Sequence, residues 1–86
     1  PITEKYMKNE YLDSAANIPV RVDGRLEKEL KDIGFVRAHL SFLVNMKYIT
    51  KISSYVMTLT TGKKIPVPKA RYAQVKREYM LYKGEE

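Results

Sequence analysis

Apolar positions change their period several times along this chain, and each change marks an element. Ile18-Pro19-Val20-Arg21-Val22 alternates apolar with polar after its proline, which predicts a short strand turned at Asp23-Gly24. Leu26, Leu30 and Ile33 then recur at helical spacing. Glu27, Lys28, Glu29 and Lys31 occupy the outer face, and Gly34 supplies the left-handed stop. Phe35-Val36-Arg37-Ala38 reads as a strand entering His39–Asn45, whose apolar residues predict a short, mostly buried turn of helix ended by Asn45. Tyr48–Ile52 and Tyr55–Thr60 are rich in β-branched and aromatic residues and read as strands, with Ser53-Ser54 between them. Thr61-Gly62-Lys63 predicts a turn from which Lys64–Val67 returns antiparallel, and Pro66 demands an edge position there. Pro68 opens a last helix over Lys69–Tyr82. Its Tyr72, Val75, Tyr79 and Tyr82 form one stripe, and Arg71, Lys76 and Arg77 face water or a ligand. Residues 1–17 show no clean period and read as a truncated or poorly defined start, leaving 18–86 as the domain. The fold class is mainly β with short helices, an α+β arrangement.

At 86 residues and 10.0 kDa there is one domain and one modest core, with little volume to spare for a deep catalytic cleft. Hydrophobic residues at 44% and charged residues at 30% place the chain among folding sequences. The absence of cysteine excludes a disulfide framework, a thiol nucleophile and cysteine-ligated metal, and it fits a cytoplasmic protein. No apolar run exceeds four residues, against the roughly 20 needed to span a bilayer, so no membrane partner is expected.

The net charge of +6 is unevenly placed. From Ile33 to Arg77 there is no acid, while Arg37, Lys47, Lys51, Lys63, Lys64, Lys69, Arg71, Lys76 and Arg77 are all basic. Such a block repels itself, and a polyanion relieves the repulsion, so nucleic acid is the first partner to consider. A solvated cationic surface that only keeps the domain soluble is the plainer alternative.

Candidate chemistry is sparse. His39 is the only histidine and Ser41 lies two residues on, but a nucleophilic serine needs a carboxylate to orient its base, and none lies between residues 33 and 77. One histidine without cysteine does not make a usual zinc site, and there is no phosphate-cradling or dinucleotide glycine motif. The sequence therefore points to no enzyme, no metal and no cofactor. Tyrosines 72, 79 and 82 invite a base-stacking reading, but their shared helical stripe fits core or interface better. The same basic helix suits a membrane surface less well, because Glu78, Glu85 and Glu86 oppose an anionic bilayer.

The string Phe35-Val36-Arg37-Ala38-His39-Leu40-Ser41-Phe42-Leu43-Val44-Asn45 resembles the central signature of the LytTR domain, the DNA-binding output module of many bacterial response regulators. The hydrophobic strand that follows, the glycine hairpin turn and the Ile65-Pro66-Val67 strand end before a basic helix keep the family's order over residues 24–82. The resemblance implies an elongated antiparallel β domain that lays loops, not a recognition helix, into successive major grooves of double-stranded DNA. It brings His39, Leu40 and Ser41 to DNA in one loop and Lys69 and Arg71 in another. Lys47, Lys63 and Lys64 are read as phosphate contacts, while Arg37, Phe42, Val44 and Asn45 hold the signature turn in shape. Leu40 stands where the family usually has a polar or basic residue; it would meet a thymine methyl or a sugar, or pack inward. Pro68 stands where serine is usual and removes a hydroxyl and a backbone donor.

The expected function is thus sequence-specific recognition of promoter DNA by the output domain of a bacterial transcription regulator. A receiver domain is expected in the full-length protein, and two copies as a homodimer on repeated sites. The segment before residue 18 is shorter than the family's opening strands. A protein-interaction module, using the tyrosine stripe and Leu40 as its patch, is the alternative from another class, and a general RNA binder is the third.

Overall fold

A computed structural model describes residues 6–13 and 24–84. The strand expected over 18–22 lies outside the described residues. Within them the order is β1 (Tyr11–Asp13), α1 (Gly24–Asp32), β2 (Phe35–His39), β3 (Phe42–Asn45), a 3-10 turn (Met46–Tyr48), β4 (Ile49–Ser53), β5 (Val56–Leu59), β6 (Lys64–Pro66) and α2 (Lys69–Tyr82). Two antiparallel three-stranded sheets result, ordered β1-β3-β2 and β4-β5-β6. The mainly β α+β class read from the sequence is the one observed, with extents of 32 × 25 × 25 Å.

Helix α1 forms because Leu26 and Leu30 share one buried face while its charges pair along the other. Arg25 with Glu29 and Glu27 with Lys31 are both i,i+4 pairs at 3.8 Å. Ile33, expected on the buried face, lies past the last turn and is 36% exposed. Gly34 then takes φ +109°, the left-handed geometry that ends the helix, and its carbonyl accepts from the Met46 amide at 2.9 Å.

The stretch 39–45 is not helical. His39 closes β2, Leu40 and Ser41 make the turn, and Phe42–Asn45 is β3, the central strand of its sheet. Successive side chains of a strand point to opposite faces, and here both faces are covered. Leu43 packs with Tyr6, Leu12, Leu26, Leu30 and Phe35 beneath α1. Val44 packs with Val36, Ala38 and the second sheet in the main core. A strand buried on both sides reads as an apolar run, which periodicity alone does not separate from a buried helix.

The second sheet follows its alternation. Ile49, Ile52, Met57, Leu59 and Ile65 point into the main core. Pro66 sits in β6, an edge strand, where its missing amide costs no ladder bond. Tyr55, expected to begin a strand, instead shares the β4–β5 turn with Ser54; both have positive φ, +63° and +52°. Helix α2 packs against β2. Val75 is buried in the main core, Tyr72 and Tyr79 are half-buried against it, and the Tyr79 hydroxyl donates to the Ile49 carbonyl at 3.0 Å.

Candidate nucleic-acid interface

The β2–β3 turn is held by bonds from both strands. A bulge at Ala38 shifts the register between Arg37 and His39, so that His39 faces Phe42 across the turn. The Arg37 Nη1 donates to the Leu40 carbonyl at 2.9 Å, and the Ser41 amide donates to His39 Nδ1 at 3.1 Å. The His39 ring meets Phe42 edge-on at 5.6 Å between centroids, and Phe42 meets Tyr11 the same way at 5.7 Å. Within this frame Leu40 is 74% exposed. It does not pack inward.

Glu27 on α1 anchors the other end of Arg37, whose Nη2 donates to its Oε1. That hydrogen bond from Arg37 holds the Glu27 carboxyl below its ordinary value. Burial opposes the shift, and the charges of Arg37, Lys31 and Arg71 assist it. Arg71, at the head of α2, is among the charges that act on Glu27. Although residues 33–77 contain no acid, the fold therefore supplies one carboxylate from outside that block to its innermost cation.

The eight residues singled out from the sequence are distributed unevenly. His39, Leu40 and Ser41 are contiguous at the turn. Arg71 and Lys69 lie together at the head of α2, where Lys69 is exposed. Lys63 reaches the base of the turn, its Nζ lying 5.5 Å from the centroid of Tyr11, which packs on Phe42. Lys47 is not part of this group. It sits in the 3-10 turn, beyond the Asn45 end of β3, with its Nζ 5.8 Å from the Tyr48 ring centroid. Lys64 belongs to the outer face of the second sheet, where Lys51 pairs with Thr58 and Thr58 with Lys64. These three line a recess of about 370 Å³ with Ser53, Ser54 and Val56. Lys51 was not singled out from the sequence, although it occupies an outward position of a strand whose inward residues are apolar. Glu27 was read as outer-face solvent charge, and no spacing rule joins it to Arg37 ten residues later.

Of the residues assigned to hold the turn, Arg37 and Phe42 contact it, at the Leu40 carbonyl and the His39 ring, whereas Val44 packs in the main core and Asn45 lies at the other end of β3. Asn45 is buried; its Nδ2 donates to the carbonyls of Met7 at 3.0 Å and Asn9 at 3.3 Å, and its Oδ1 accepts from the Lys47 amide at 3.1 Å. It ties the N-terminal segment to the end of β3. Elsewhere, Ile33, Gly34, Phe35, Met46, Leu81 and Tyr82 share an open groove of about 490 Å³ with charged neighbours. Among the described residues no helix is long and apolar enough to cross a membrane.

Comparison with known proteins is consistent with this geometry. The sensory transduction protein LytT of Bacillus subtilis is 39% identical over 57 residues, and the protein of the same name from Bacillus cereus is 35% identical over 57. Each match covers 60% of this chain, and the chain spans about a quarter of either relative, 24% and 23%. No solved structure matches. The LytTr DNA-binding domain model matches residues 24–80, which include α1, the clamped turn, both lysine-bearing strands and the basic head of α2. The chain belongs to the LytTR family of DNA-binding domains.

Proposed function

We propose that this domain recognises double-stranded DNA sequence-specifically, as the output domain of a bacterial transcription regulator, by setting its β2–β3 turn and the head of α2 into the major groove. The observation that carries the reading is the outward Leu40 turn, clamped from within by Arg37 and His39. Arg71 and Lys69 supply base and phosphate contacts, since arginine bonds guanine bidentately and lysine neutralises phosphate. Lys63, Lys64 and Lys47 supply phosphate contacts that add affinity and salt dependence without sequence choice. The role is binding, with no catalytic step. In this reading the full-length regulator is cytoplasmic and carries a receiver domain, with two copies side by side on repeated sites; the relatives' name, sensory transduction protein, supports a signalling role. An electrophoretic shift on promoter fragments at two salt concentrations tests the reading. Sequence preference that persists at physiological salt is expected, and binding without preference contradicts it.

A second reading, a protein-interaction module, draws on the groove beside Leu81 and Tyr82, which are 54% and 47% exposed. It predicts no retardation of any duplex in the same assay.

A further inference from the structure

We infer that Leu40 selects thymine at one position of the DNA site by contact with its C5-methyl group. This rests on the proposal that the β2–β3 turn enters the major groove. An apolar side chain that is 74% exposed at a hairpin tip is uncovered in the free protein and gains by being covered. Leu40 offers no hydrogen-bonding side-chain atom, so it reads none of the donors and acceptors on base edges. The thymine methyl is the apolar group that the major groove presents.

The turn is suited to deliver that contact without first having to be ordered. The Leu40 carbonyl accepts from Arg37 Nη1. The next amide, that of Ser41, is occupied by His39 Nδ1. The His39–Phe42–Tyr11 ring series fixes the base of the turn. With the Ser41 amide engaged by His39, the Leu40 side chain is the exposed apolar group at the tip. Lys63, over the Tyr11 ring that packs on Phe42, provides positive charge near the base of the turn, where phosphate would lie.

The test uses duplexes that the wild-type chain retains from a random-sequence pool. Each thymine of the retained consensus is replaced in turn by deoxyuridine, which keeps base pairing and removes only the methyl. For the wild type, replacement at one position per bound copy should weaken binding about three- to five-fold, the worth of one methyl group taken from water. Leu40→Ala should bind the thymine and uracil forms of that duplex alike. Leu40→Asn should prefer adenine at that position, because the asparagine amide pairs with adenine N6 and N7. Equal binding of every uracil duplex by the wild type overturns the inference and leaves DNA recognition intact. A uracil penalty that survives in Leu40→Ala also overturns it, since another group must touch the methyl. Retention of no duplex at all removes the reading on which the inference rests.

Discussion

Arg37 holds Leu40 by the backbone and leaves its side chain free: one guanidinium nitrogen donates to the Leu40 carbonyl while the other is engaged by Glu27 of α1. The shape of a turn proposed to face DNA thus depends on a carboxylate of the neighbouring helix. Arg37→Ala removes a charge-assisted pair and a turn bond together and leaves the partly buried Glu27 carboxylate without its main partner. It should lower unfolding free energy by about 2–3 kcal/mol in a urea titration. It should also broaden the amide signals of Leu40 and Ser41. Wild-type stability in this variant would show that the clamp contributes nothing.

The Glu27 carboxyl titrates below its ordinary value in the folded protein, chiefly through Arg37. Its ionised form is favoured by folding, so the stability it contributes is present above the unfolded carboxylate value, near pH 4.5, and is lost as pH falls through the lower folded value. Glu27→Gln should lower the melting temperature at pH 7. The difference from wild type should shrink as pH is taken from about 4.5 downward, where the wild-type carboxylate becomes protonated too. A difference that stays constant down to pH 2 would contradict the pairing.

Gly34 combines φ +109° with a close neighbour: a Cβ there would lie 3.2 Å from Tyr82 Cε1. Gly34→Ala adds left-handed backbone strain of about 1–2 kcal/mol before any displacement of Tyr82. A denaturant midpoint lowered correspondingly, with Tyr82→Ala restoring only the smaller steric part, is the expected result. An unchanged midpoint would mean that the α1 stop tolerates a side chain.

The cations assigned to bases and to phosphates should behave differently. Arg71→Ala should cost about 1–3 kcal/mol on the preferred duplex and relax sequence choice, while Lys63→Ala and Lys64→Ala should weaken all duplexes similarly and each reduce the salt slope by about 1. Binding isotherms on preferred and scrambled duplexes at several salt concentrations separate the two behaviours. Indistinguishable variants would contradict the division between base and phosphate contacts.

Where a segment alternates with one face wet, the sequence declares it. The strands of the second sheet, the stripe Tyr72-Val75-Tyr79 and the edge position of Pro66 follow from local pattern alone. Legibility ends where two surfaces cover one element. Leu43 and Val44 point to opposite cores, so β3 carries no alternation and reads as buried helix. Tyr55 has strand propensity, yet the two-residue turn places it at positive φ, where its ring lies 4.5 Å from that of Tyr72. The candidate site was legible as a string of residues but not as a geometry. Hydrophobicity did not distinguish an inward Leu40 from the outward one observed, and nothing local links Glu27 to Arg37 or Tyr11 to Lys63, which only the packed fold brings together.

Amide chemical-shift mapping of the full chain, titrated with a preferred duplex at physiological salt, bears most directly on how this domain meets DNA. Shifts concentrated on His39, Leu40, Ser41, Lys69 and Arg71, with smaller ones at Lys63, are the predicted result. Shifts confined to the groove around Gly34, Leu81 and Tyr82, with the β2–β3 turn unmoved, would contradict it.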